Sequence, residues 1–155
     1  MANFMQQAVD EAVQGVQKGD GGPFGALVVK DGQIIASGHN MVLITKDPTA
    51  HAEVTAIRMA CAKLGTFDLK GCVLYTSCHP CPMCMGASLW ARLDAVYYAA
   101  TPEQAANVGF DDKAFYDYIN SPNKNEEMCR LEHVEIDQYL KPFELWSSLE
   151  SKTPY

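Results

Sequence analysis

The sequence predicts a three-layer α/β/α domain around a mixed, five-stranded sheet. Three observations carry this. An amphipathic helical stretch opens the chain, a hairpin follows it, and helical and strand-like runs then alternate. The run Cys72-Val73-Leu74-Tyr75-Thr76 is apolar on both alternating sets of positions, as a strand covered on both faces requires.

The elements follow in order. Over residues 3–18, Phe4, Ala8, Val9, Ala12, Val13 and Val16 recur at helical spacing, and Gly19 fits the stop. Phe24 to Lys30 and Gln33 to Gly38 are two apolar runs joined by Asp31-Gly32, a strong hairpin signal. Val42 to Lys46 reads as irregular. A helix is predicted from Ala50 to Leu64, with Val54, Ile57, Cys61 and Leu64 on one face and Gly65 at its end. Pro82 suits the first position of a helix reaching Ala91. Leu93 to Ala99 reads as a strand, and Pro102 to Ala106 as a helix start stopped by Gly109. Asp111 to Ile119 is predicted helical, Ser121-Pro122-Asn123 a turn, Leu131 to Ile136 the fifth strand, and Leu140 to Leu149 a last amphipathic helix. With no repeat, linker or low-complexity tract, the 155 residues are expected to form one domain.

Composition narrows the function classes. A hydrophobic fraction of 48% and a charged fraction of 20% suit a soluble globular chain. No apolar run approaches the roughly 20 residues that span a bilayer. Met1-Ala2-Asn3-Phe4 lacks the basic and apolar regions of a signal peptide, so a cytoplasmic location is expected. The net charge of −7 and the absence of a basic run disfavour a nucleic-acid surface and favour a small, near-neutral substrate. Of six cysteines, Cys78, Cys81 and Cys84 share one short motif; Cys61, Cys72 and Cys129 read as small buried hydrophobes.

The chemistry concentrates between Pro48 and Arg92. His51-Ala52-Glu53 and the downstream Pro80-Cys81-Pro82-Met83-Cys84 offer one imidazole, two thiolates and a separate carboxylate. His51, Cys81 and Cys84 would hold one Zn²⁺ with its fourth position open. Cysteines at i and i+3 on a first helical turn aim at one point, and the helix N-terminus favours their thiolate form. Zinc lowers the pKa of a bound water from about 15.7 toward 7, and Glu53 would then move protons as general base and acid. A closed Cys₃His site that adds Cys78 is the competing arrangement, and buried thiols without metal a further one. His79 is read as a neighbour of the site or an exposed residue.

Taken together, Gly21-Gly22-Pro23-Phe24-Gly25, Asp47-Pro48-Thr49-Ala50-His51-Ala52-Glu53 and Tyr75-Thr76-Ser77-Cys78-His79-Pro80-Cys81-Pro82-Met83-Cys84 resemble the cytidine deaminase-like superfamily. The H-x-E…P-C-x-x-C pattern is a signature of its zinc nucleobase deaminases. With Trp90-Ala91-Arg92, Gly109-Phe110-Asp111-Asp112 and Tyr155, the whole chain is similar to the small bacterial guanine deaminases. The resemblance implies a cytidine deaminase-like fold and conversion of guanine and water to xanthine and ammonia, with zinc-activated hydroxide attacking C2. It implies zinc at His51, Cys81 and Cys84, Glu53 as proton shuttle, and Phe24, Asn40, Trp90, Asp112 and Tyr155 as purine contacts. Phe24 would stack on the base and Asn40 hydrogen-bond it. It further implies a domain-swapped homodimer, in which Asp112 and Tyr155 act at the partner's site, and no nucleic-acid or membrane partner.

The chemistry of the residues agrees. Asp112 only accepts, which suits the N1–H and 2-amino donors of guanine, while an Asn40 amide can donate and accept. Alternative readings stand beside these: Phe24 as core, Asn40 as a turn residue, Asp112 as a helix cap, Tyr155 as a loose tail. His79 departs from the acidic residue usual in the family before Pro-Cys. The competing functions are deamination of cytosine, adenine, guanosine or another base or nucleoside, a tRNA adenosine deaminase, and a non-catalytic zinc module.

Overall fold

The computed structural model describes residues 1–121 and 128–155, so the expected turn at Ser121-Pro122-Asn123 falls largely outside the described residues. Where one domain is expected, internal contacts group the chain into two compact units, Met1–Tyr116 and Asp117–Tyr155.

The first unit opens with helix α1 (Ala2–Lys18), closed by Gly19 in the left-handed region at φ 74° with its N–H on Gly15 O and Val16 O. Strands β1 (Gly25–Lys30) and β2 (Gln33–His39) form the hairpin, and Asp31 and Gly32 both take positive φ, 49° and 74°. That is the backbone a two-residue primed turn demands. A bulge at Ile35 shifts the register, with Val28 opposite Ala36 and Val29 opposite Ile34. Strand β3 (Cys72–Cys78) pairs antiparallel with β1, and β4 (Ala95–Ala100) pairs parallel with β3. The sheet is therefore mixed, in the order β2-β1-β3-β4.

Alternation along β1 divides the core between two layers. Ala26 and Val28 face helix α3 (Ala52–Leu64), where Ala52, Ala56, Ile57 and Ala60 pack with Cys72 and Leu74. Leu27 and Val29 face α1, packing with its Ala8 and with Tyr75 of β3, with Phe4 and Met5 alongside. This gives the predicted α/β/α sandwich. Helix α4 (Pro82–Trp90) makes the β3–β4 crossover, with Pro82 at its start.

Several expectations are corrected. The sheet has four strands among the described residues, not five. Leu131 to Ile136 alternates in sequence but joins no strand, and its residues are exposed. Alternation alone supplies no partner edge. Val42 to Thr45, expected irregular, forms a short helix α2 because Leu43 and Ile44 donate their N–H groups to Asp20 O, 3.0 Å each. Strand β4 starts at Ala95 rather than Leu93, since Arg92 takes φ 59° and Leu93 N–H turns back to Ser88 O. The helices that follow are α5 (Pro102–Ala106), with a Thr101/Gln104 capping box, α6 (Lys113–Asn120) and α7 (Lys141–Ser148). Cys129, expected buried, is exposed, as is every described residue of the second unit from Met128 on. No helix among the described residues is long and apolar enough to cross a membrane.

Candidate active site

Two helix starts meet at the centre of the first unit. His51 is the N-cap of α3 and Cys81 the N-cap of α4, both with extended backbone. Neither side chain caps its own helix. Both turn toward Cys84 in the first turn of α4: His51 Nδ1 lies 3.6 Å from Cys81 Sγ and 3.5 Å from Cys84 Sγ. With Zn–N of about 2.0 Å and Zn–S of about 2.3 Å, a tetrahedral centre separates N from S by about 3.5 Å. The donor set fits one Zn²⁺. Among the described residues it is the group that offers such a fit, its three ligand atoms lying within 4.8 Å of one another.

Cys78 is not in this group. Its thiol is buried and points to Thr101 O at 4.0 Å, and burial raises its pKa. The Cys81 thiol, by contrast, is held at about 4, first by the hydrogen bond from Cys84 and then by His51. Cys84 is pushed up by the same shared proton and by burial, and His51 is pushed up by its bond to Cys81. The pair thus holds one proton that a metal would displace.

Glu53, in the first turn of α3, is buried and stands beside these donors without joining them. Its Oε1 accepts from Thr76 Oγ1 at 3.0 Å, and Cys84 Sγ lies 3.4 Å from its Oε2. Burial raises its pKa, so it takes up a proton more readily than an exposed glutamate.

The expected purine contacts divide. Asn40 is buried, and its Oδ1 accepts from Gly22 N–H at 3.2 Å and Val42 N–H at 3.1 Å. Two backbone donors fix the amide's orientation, so Asn40 can offer a ligand only Nδ2–H, a donor. This corrects the mixed donor–acceptor role read from sequence. The cradle needs glycine at 21, because a Cβ there would meet Asn40 Oδ1 at 2.1 Å. Phe24 is partly buried against the core and meets Phe110 edge-on, ring centroids 4.9 Å apart at 89°. Asp112, expected at a partner's site, feels the Cys81 charge of its own chain. That charge adds to burial in raising its pKa. The backbone N–H of Lys113 goes to Asp111 Oδ1 at 3.0 Å, so Asp111 takes a capping contact. Trp90 ends α4, at the opposite end from Cys81 and Cys84, exposed, with Arg92 Cζ 5.7 Å from its ring centre. Its own chain does not bring it to the centre. Tyr155 is exposed at the end of the second unit.

Three further residues were not singled out from sequence. Thr76 holds Glu53; a polar residue at the end of a buried apolar strand was the available signal. Phe110 meets Phe24, and Tyr116 donates to Pro80 O at 2.6 Å, tying α6 to the turn before the cysteines. His79 lies on that turn, its ring edge-on to Tyr98 at 4.8 Å and its buried Nδ1 without a partner among the described residues.

Comparison with known proteins agrees with this geometry. Residues 1–100 match the family model for the cytidine and deoxycytidylate deaminase zinc-binding region. The chain is 51% identical to a guanine deaminase of Bacillus subtilis (strain 168) over 152 residues, 98% of this chain and 97% of that one. The X-ray structure of a Bacillus subtilis guanine deaminase superposes with a TM-score of 0.94 at 51% identity, covering 99% of this chain and 98% of the other. A guanine deaminase from Nitrosomonas europaea gives a TM-score of 0.67 at 35% identity, over 71% of this chain and 64% of that one. A tRNA-specific adenosine deaminase of Aquifex aeolicus (strain VF5) is 38% identical over 125 residues, 81% of this chain and 80% of the other. The chain belongs to the zinc-dependent cytidine and deoxycytidylate deaminase family, alongside the guanine deaminase of Bacillus subtilis.

Proposed function

We propose that this chain deaminates guanine hydrolytically to xanthine and ammonia, a step of purine breakdown and salvage. His51, Cys81 and Cys84 would hold the zinc, which supplies a Lewis acid that lowers the pKa of water toward 7. Glu53 takes a proton from the water that attacks C2 and delivers it to the adjacent ring nitrogen. It then takes the remaining proton of the oxygen added at C2 and delivers it to the leaving 2-amino group, so that one carboxylate works in both directions. Asp112 accepts from N1–H, Asn40 Nδ2 donates to a ring nitrogen or O6, and Phe24 packs on the face of the base.

The observation that carries this reading is the buried Glu53 carboxylate beside, and outside, the His51/Cys81/Cys84 group. A structural zinc site has no use for it. The end-to-end similarity to the Bacillus subtilis guanine deaminase supports guanine as the base.

The active form we propose is a homodimer that exchanges its C-terminal segments. Leu131, Val134, Ile136 and Phe143 are 69%, 72%, 68% and 69% exposed, an apolar series that calls for a partner surface. In that assembly Trp90 and Tyr155 would line a neighbouring subunit's pocket. Six free cysteines and a thiolate centre suit the reducing cytoplasm.

Ammonia release from guanine, cytosine, adenine, guanosine and cytidine tests the reading. Turnover of guanine above the others is expected. Turnover of another base with none of guanine would overturn the substrate and leave the reaction class.

A further inference from the structure

Away from the zinc donors, His39 stands between two carboxylates. Its Nδ1 is 3.1 Å from Glu11 Oε2 on α1, and its Nε2 is 2.7 Å from Asp20 Oδ2 in the loop after α1. The three side chains, His39, Glu11 and Asp20, are only 13%, 22% and 17% exposed. Each ring nitrogen thus faces a carboxylate oxygen at hydrogen-bond distance, and one ring bridges the two acids. Gly15 on α1 makes room for it: a Cβ there would come within 2.8 Å of the His39 ring.

Both ends of this bridge lead to Asn40. His39 closes β2 and is followed directly by Asn40. From the other end, Asp20 O accepts Leu43 and Ile44 N–H, Gly21 packs on the Asn40 amide, and Gly22 N–H donates to Asn40 Oδ1. The loop that cradles Asn40 is thus pinned to α1 and to β2 through one ring.

We propose that Glu11, His39 and Asp20 are positioning residues for purine recognition: their bridge locks the Asp20–Gly22 loop against the end of β2, so that Asn40 presents Nδ2 as a fixed donor. The inference rests on the reading of Asn40 as a guanine contact. Without the imidazole, two largely buried carboxylates lose the ring that bridges them, and the loop lifts. Asn40 Oδ1 then loses Gly22 N–H, and the amide is free to turn. The contact is weakened in ground and transition states alike, so KM rises while kcat is kept.

The test uses full-length, zinc-loaded His39→Gln beside wild type, with steady-state kinetics on guanine, zinc content, and hydrogen exchange at the Gly22 and Val42 amides. The expected result is a KM raised roughly fivefold, kcat within about twofold, full zinc, and exchange at both amides faster by roughly tenfold. Unchanged KM in a folded variant overturns the proposal, whether or not the amides exchange faster. If His39→Gln does not fold, Glu11→Ala and Asp20→Ala each remove one acceptor of the bridge and carry the same comparison. If wild type leaves guanine untouched, the guanine reading fails. The bridge is then judged by the exchange rates and by KM on whichever base wild type deaminates.

Discussion

Thr76 Oγ1 donates to Glu53 Oε1 across 3.0 Å, inside the layer between β3 and α3. The same hydroxyl lies 3.2 Å from Cys78 O, so it can give its proton to either acceptor. Glu53 is thereby held by one oxygen and left with the other toward Cys84. Thr76→Val keeps the shape and removes the donor. It should leave a buried carboxylate oxygen unsatisfied, at a cost of about 1–3 kcal/mol in stability, and lower kcat by roughly tenfold. Thermal melts and turnover read both effects. Thr76→Ser should restore them, and a fully active Thr76→Val would remove Thr76 from the site.

Glu53→Gln preserves size and hydrogen bonding but cannot cycle a proton. Turnover should fall by about 10²–10⁴-fold while zinc content stays stoichiometric. Ammonia release at the wild-type rate would end the proton-shuttle role.

Removing the metal tests the donor set. A chelator should abolish turnover and lower the melting temperature, and added zinc should restore both. At about 1,000 times its dissociation constant, the ion should stabilise the fold by about 4 kcal/mol. Cys81→Ala should lose zinc and activity together. Retention of zinc in that variant would mean that other ligands hold it.

Asn40→Asp separates folding from recognition. One carboxylate oxygen can still accept from Gly22 and Val42, so the fold should survive, but the Nδ2 donor is gone. KM for guanine should rise by roughly tenfold to a hundredfold. An unaltered KM would show that the base does not use this amide.

Deleting Tyr155 should lower kcat/KM by roughly tenfold without releasing zinc. A chain ending near Pro142 should lose its dimer by sedimentation as well as its activity. Full activity there would make the C-terminal segment dispensable.

What could be read from the residues was local. Asp31-Gly32 dictates its turn through the positive φ of both residues, and His51-x-Glu53 with Cys81-x-x-Cys84 carries its spacing within two helix starts. The alternating helices and strands likewise led to the layered sheet. Features that depend on distant partners stayed hidden. Helix α2 exists because Asp20 and Asn40 engage its N–H groups, and the Asn40 amide is oriented by residues 18 positions before and 2 after it. The His39 bridge spans 28 and 19 residues of chain. Leu131 to Ile136 failed as a strand for the converse reason: its alternation was local, and the edge it needed was not.

The two helix starts occupied by His51 and Cys81 restrict how this chain can be hardened. A common route to thermostability places Ser, Asp or Asn at an N-cap, for about 1 kcal/mol each. At α3 and α4 that route is closed, since such a replacement would trade a ligand for a cap. Engineers seeking a more robust enzyme would have to work at other positions, and evolution has faced the same restriction.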